Sequence, residues 1–301
     1  TEVGEILGQL DPVIGRSVEP AVALIYDWQN RWAIEGSQGP AREVDYEGIC
    51  HQHYRPFWER GIPVDVIEMD RPFDNYQLLV APMLYMVRPG VAERVEEFVR
   101  DGGTFVTTYW SGIADENDLC FLGGRPGPLR EVTGIWSEEL DVLHEEESNR
   151  VQIDAQDRLD VKGTYETKKF SALIHSQGAD LLGHYASDFY SGRPALTVNE
   201  HGKGKAYYIA FRDTGEFLDD FYGALVGELG LHRPLKTDLP RGVTVQVRRD
   251  EDREFLFLLN FRRETAEVDL GAETFDNPLT GETVSGRLTL APWGSMILER
   301  K

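Results

Sequence analysis

The stretch YDWQNRW, residues 26–32, follows the apolar run AVALI and sets two tryptophans, an aspartate, an asparagine and an arginine at the end of a buried-strand pattern. In open α/β sheets, ligands bind at the carboxyl ends of the strands, which is where these residues stand. Aromatics beside arginine suit two kinds of contact: stacking on a sugar ring, or anchoring a protein–protein interface. No evident acid–base pair lies nearby, so the stretch reads as an interface anchored by Trp28, Arg31 and Trp32.

Other chemistry-bearing residues read more plainly. Asp115, Glu116 and Asp118 offer oxygen ligands to a hard cation. Their spacing lacks the remaining ligands of a calcium loop, so solvated loop charge is expected. Glu138 and Glu139 are adjacent and read as a helix start. His51 and His53 are two apart, so a helix turns them to different faces, and no third metal ligand has a suggestive spacing. Gly202-Lys203-Gly204 lacks the full phosphate-loop pattern and precedes a strand, which makes it a hairpin turn. No metal or cofactor site is expected.

These residues must be positioned by alternating elements. AVALIYD (21–27), IPVDVIEMD (62–70), YQLLVAPML (76–84) and TFVTTYW (104–110) read as strands. Residues 43–60 carry a helical pattern in which Pro56 marks a kink or late break, and PGVAERVEEFVRDGG (89–103) carries a second. A long loop covers 111–136, residues 150–210 are β-rich, and 214–230 is a helix with Thr214 as its cap and Gly230 as its stop. The expected fold is α/β, a flavodoxin- or amidotransferase-like, mostly parallel sheet with helices on both faces. VTVQVRRD, EFLFLLNF, AEVDL, ETVSGRLTL and SMILER then predict a small antiparallel β-sandwich domain.

That sheet is similar to glutamine amidotransferase domains, whose cysteine sits on a tight strand-to-helix elbow. Cys120 lies in NDLCFLGG, well past the strand, and Cys50 falls within a predicted helix. A nucleophile needs a fixed base and oxyanion donors. Cys120 is therefore expected to pack in its loop and to be dispensable.

The 301 residues carry a formal charge of −21, which argues against nucleic-acid or anionic-membrane binding, since phosphate contacts need Lys and Arg. Two cysteines without a C-x-x-C spacing point to a reducing, cytoplasmic compartment. No apolar run reaches the roughly 20 residues that span a bilayer. The opening TEVGEILGQLDP is acidic and amphipathic, like the tail of a helix begun earlier.

VALIYDWQNRWAIEGSQGP, HQHYRPFWERGIPVDVI, YQLLVAPMLYMV, FVRDGGTFVTTYWSGIADENDLCFLGGRPGPLREVTGIWSEELD and LAPWGSMILE resemble the C-terminal half of glycoside hydrolase family 42 β-galactosidases. The resemblance runs through essentially the whole chain. It implies residues 1–16 as a helical linker from a missing catalytic barrel, 17–236 as an α/β trimerisation domain, and 237–301 as the C-terminal β-sandwich domain. The family's catalytic glutamates, sugar-binding residues and zinc cysteines belong to the barrel, so no catalytic residue is assigned here. A retaining glycosidase needs two carboxyls about 5–5.5 Å apart, and no pair is nominated. The chain is thus expected to be the inactive, trimer-forming part of a cytoplasmic enzyme that hydrolyses terminal β-D-galactosides with retention. It would meet galactoside only through the parent, and its partners would be its own copies and the barrel. The alternatives are a freestanding sugar-binding or assembly module, and an amidotransferase-like enzyme using Cys120.

Overall fold

A computed structural model describes residues 2–37 and 44–301, with side chains from residue 4 onward. Residues 38–43, the end of the GSQGP stretch and the first residue of the helix expected over 43–60, lie outside the described residues. The chain divides into two compact units, one of Ala21–Tyr54 and Asp65–Gly230, the other of Thr1–Pro20, Arg55–Val64 and Leu231–Lys301.

The chain opens on α1 (Glu2–Gln9) and then enters the larger unit through β1 (Val22–Ile25). α2 (Trp28–Gly36), a helix the sequence reading did not predict, comes next, and α3 (Tyr46–Glu59), β2 (Val64–Ile67), β3 (Leu78–Ala81), α4 (Val91–Arg100) and β4 (Thr104–Thr108) follow in the expected order. Pro56 falls in the last turn of α3, which runs on to Glu59. A short α5 (Arg130–Thr133) closes the long loop. The chain then turns β-rich: β5 (Ile135–Val142), β6 (Asn149–Asp154), β7 (Lys162–Ser176), β8 (Asp180–Tyr185), β9 (Pro194–His201), β10 (Gly204–Ile209) and β11 (Phe211–Asp213).

These eleven strands form one mixed sheet. β1, β3, β4 and β10 pair in parallel, with β2 outside β1. β9, β8, β6, β7, β5 and β11 extend the sheet as antiparallel pairs. Every residue of β1, β3 and β4 is buried, the signature of strands covered on both faces. Ala23, Ile25, Leu79, Ala81 and Phe105 share a core with Val91, Val95 and Val99 of α4. Each fully buried valine contributes about 1.5–3 kcal/mol, enough to hold a short helix that would not persist alone in water. α6 (Glu216–Glu228) ends at Gly230, whose φ of 59° lets the chain leave the helix. Thr214 does not cap it. The Asp213 carboxylate accepts from the amides of Phe217 and Leu218 at 3.3 and 3.0 Å, so the acidic residue one place earlier does that work.

In the other unit, β12 (Val243–Arg249), β13 (Glu254–Asn260), β14 (Ala266–Asp276), β15 (Thr283–Leu290) and β16 (Ser295–Arg300) coincide with the five predicted strand segments. They hydrogen-bond into one antiparallel sheet, ordered β12-β13-β16-β14-β15. Alternate residues Val243, Val245 and Val247 point into its core with Leu256, Leu258 and Val268. β14 runs longer than AEVDL because its register against β15 shifts between Asp269 and Thr274 around Gly271, whose φ is 67°.

Candidate assembly surface

The turn from β1 into α2 is fixed by two buried polar residues. Asp27, 1% exposed, caps α2: its Oδ1 accepts from the amides of Gln29 and Asn30 at 3.0 and 3.1 Å. Its Oδ2 accepts from Arg88 Nη2 at 2.7 Å, and Arg88 also meets Asp70 at 2.8 Å and the Gln29 side-chain oxygen at 2.7 Å. Asn30, fully buried, donates from Nδ2 to the Met83 carbonyl at 3.0 Å and accepts from the Met86 amide at 2.8 Å. Two of the polar residues in YDWQNRW therefore clamp the loop after β3 instead of facing a ligand.

The three anchors expected from the sequence come together on the outward face of α2. Trp28 and Trp32 are one helical turn apart, 50% and 61% exposed, with ring centroids 6.1 Å apart. The Arg31 guanidinium lies 5.2 Å from the Trp28 ring centroid. It donates to the Tyr26 hydroxyl and to Glu35 at 2.7 Å each, and pairs with Glu47 at 3.0 Å. Tyr26 stacks on buried Tyr46 with rings 10° from parallel and meets Trp28 edge-on at 5.8 Å. The rings stand on a braced support, and their acidic rim of Glu35 and Glu47 is held by Arg31. Sequence reading missed Tyr26, Glu47 and Arg88. Glu35 was legible, since Arg31 and Glu35 stand at i and i+4.

The remaining candidates separate. Asp115 Oδ1 accepts the amides of Asn117 and Leu119 at 2.9 and 3.0 Å, which spends that carboxylate on its own loop. Among the described residues no group of three or more His, Cys, Asp or Glu could hold a metal ion. Glu138 and Glu139 do not start a helix; both lie in β5, where the pairing with β7 outweighs local helix signals. Glu138 meets His175 at 2.8 Å and Arg193 at 2.9 Å, and these partners lower its pKa. His51 is exposed on α3, whereas His53 is buried and hydrogen-bonded to the Tyr222 hydroxyl at 2.5 Å. Gly202 and Lys203 form the turn between β9 and β10.

Neither cysteine has the setting of a nucleophile. Cys50 is buried, and burial pushes its thiol up to about 12. Cys120 is exposed, so the packing role expected for it is not what the loop gives it. The place just after β4, where an elbow nucleophile would stand, holds Trp110 in the left-handed region at φ 59°. Its buried ring stacks on Phe170 at 5.8 Å and meets Tyr85 edge-on at 5.4 Å. An indole fills the position that acyl transfer would need for a nucleophile.

The family model described as Beta-galactosidase trimerisation domain matches residues 20–232, and the one described as Beta-galactosidase C-terminal domain matches 242–300. The chain is 56% identical to β-galactosidase Pbg of Clostridium perfringens, covering 100% of itself and 44% of that protein. It is 45% identical to β-galactosidase BglY of Alicyclobacillus acidocaldarius, over 99% of itself and 44% of the relative. The crystal structure of a β-galactosidase from Bacillus circulans sp. alkalophilus superposes with a TM-score of 0.93 at 41% identity, covering the whole of this chain and 44% of that one. The chain thus spans less than half the length of these relatives.

Proposed function

This chain belongs to the glycoside hydrolase family 42 β-galactosidases, whose trimerisation and C-terminal domains it carries, and we propose that it is the non-catalytic, assembly-forming portion of a larger β-galactosidase. The whole protein hydrolyses terminal non-reducing β-D-galactosides with retention, through a carboxylate pair supplied outside these residues. The α/β unit, together with the preceding helix, joins that catalytic part and builds a homotrimer. The observation that carries the reading is the braced aromatic face of α2. Two half-exposed tryptophans with arginine between them are costly to leave in water and effective as interface anchors. A cyclic trimer uses a heterologous contact, so this face meets a different surface on the next copy. A cytoplasmic setting agrees with two cysteines that are both free. Among the described residues no helix is long and apolar enough to cross a membrane.

The test is the double variant Trp28→Ala with Trp32→Ala in the longer protein, followed by sedimentation at low concentration. A shift from trimer towards monomer with subunits still folded is expected, and an unchanged trimer would reduce the two rings to local packing. The same exposed rings also support the freestanding sugar-binding reading. Calorimetric titration of the chain with galactose and lactose separates the two, since a purely assembly-forming surface gives no heat of binding.

A further inference from the structure

The end of the five-stranded sheet where β12 begins and the β13–β14 and β15–β16 turns meet carries a second aromatic cluster, unrelated to α2. Phe261 and Trp293 are 50% and 64% exposed, and Phe261 lies 5.7 Å, centroid to centroid, from half-buried Trp58. Their turns are bound together from beneath by Asn260, which is 2% exposed. Its Nδ2 donates to the carbonyls of Glu264 and Ala291 at 2.9 and 2.8 Å, and its Oδ1 accepts the Arg262 amide at 3.0 Å. The Trp293 amide donates to the Arg262 carbonyl at 3.1 Å, and the Phe261 amide to the Gly242 carbonyl at 2.8 Å. Trp293 is held at φ 56°, a conformation of a few per cent of non-glycine residues. Packing does not need this of a ring that is mostly in water, so the fold presents the indole at an energetic cost.

The charge around these rings runs against that of the chain. In a protein of net charge −21, Arg262 and Arg263 follow Phe261 in the β13–β14 turn, and Arg241 precedes Gly242, whose carbonyl accepts the Phe261 amide. Arg262 has a partner in Glu264 at 3.6 Å. Arg241 and Arg263 are exposed, and among the described residues neither side chain has an ion-pair or hydrogen-bond partner. Unpaired guanidinium groups are matched to carboxylates, which they bind in two-pronged fashion. Size decides between an acidic protein and an acidic sugar chain. An aromatic side chain buries about 150–250 Å² in full, and these three rings are already partly covered, leaving on the order of 300 Å². A lasting protein contact needs roughly 800 Å² per partner. A few pyranose rings, whose apolar C–H faces lie flat on the negative face of an aromatic ring, fit the smaller area.

We propose that this end of the C-terminal sheet binds an acidic polysaccharide, with Phe261 and Trp293 stacking on sugar rings and Arg241 and Arg263 pairing with uronate carboxylates. The remaining negative charge of the chain is screened beyond a Debye length of about 8 Å at physiological ionic strength, so it does not prevent the local contact. The test is affinity electrophoresis of the 301-residue chain in gels containing polygalacturonate, with neutral galactan and dextran as comparison polymers. Retardation specific to polygalacturonate is expected, weakened several-fold by Trp293→Ala and by the pair Arg241→Glu with Arg263→Glu, and weakened by added salt. Thermal melting of each variant shows that the fold is intact, and Trp293→Phe, which keeps a ring, restores most of the retardation. Absence of retardation overturns the proposal, as does retardation that survives both sets of variants. Equal retardation in neutral galactan, indifferent to the arginines, overturns the acidic class.

Discussion

Asp27 divides its two oxygens between a helix cap and a buried ion pair, so its removal has two costs. Breaking a buried pair by deleting one partner destabilises by about 3–5 kcal/mol, and losing a cap by about 1 kcal/mol. Asp27→Ala should therefore lower stability by about 3 kcal/mol or more in urea unfolding, while Asp27→Asn, which keeps a capping oxygen, loses less. His53 sets a pH dependence. Burial lowers its pKa to about 3, against 6.5 when exposed. Between these values the unfolded chain binds a proton that the folded chain refuses. Stability is thus full above pH 6.5 and falls as pH drops towards 3, by up to about 1.4 kcal/mol per pH unit. Urea midpoints at pH 7.5, 5.5 and 4.5 check this, with a shallower decline expected in His53→Phe. Cys120→Ser, at an exposed position, should stay within about 0.5 kcal/mol of the parent.

At the scale of elements, α2 and the paired turns of the small sheet share a design: buried asparagine beneath, exposed aromatics above. Asn30 holds α2 to the loop after β3, and Asn260 holds the β13–β14 turn to the β15–β16 turn. Replacing Asn260 with alanine strips two inward carbonyls of their donor, at about 1–3 kcal/mol. Limited proteolysis should then cut first at the turns bearing Phe261 and Trp293. Trp28→Ala with Trp32→Ala should instead leave melting of the chain nearly unchanged, because rings 50% and 61% exposed contribute little to its own fold. The β13, β14 and β16 strands add an acid-sensitive element. Glu254, held at about 2 by His232 and Arg300, contributes stability above its unfolded pKa of about 4.5 that is lost as pH falls towards 2.

For the whole molecule, the assignment to an assembly-forming portion makes a direct prediction about activity. Expressed alone, the chain should not hydrolyse a chromogenic β-galactoside, whereas the longer protein carrying it should. Turnover by the purified chain that disappears on mutating one of its own carboxylates would reverse the assignment. The mixed sheet gives the physical context. Its parallel half resembles a ligand-binding α/β fold, and just past β3 and β4 the rings of Tyr85 and Trp110 pack on each other, with Trp110 stacked on Phe170.

The sequence by itself determined the elements whose signal is local. Continuous apolar runs gave β1, β3 and β4, the 3.6-residue stripe of Val91, Val95 and Val99 gave α4, and period-two patterns gave the five strands of the small sheet. It also singled out Trp28, Arg31 and Trp32, by residue type, since Trp and Arg are favoured interface anchors; the helix that sets Trp28 and Trp32 one turn apart came only with the structure. Only the tertiary structure decided what depends on partners distant in the chain. Asp27 meets Arg88 and His53 meets Tyr222 across 61 and 169 residues, so neither could be read from its neighbours. Glu138 and Glu139 became strand because β7, far along the chain, offered a hydrogen-bonding edge that local propensity does not encode. The Phe261 and Trp293 cluster went unread for the same reason. Those residues lie more than 30 positions apart and come to the same end of the sheet only because β13 and β16 are neighbours in it.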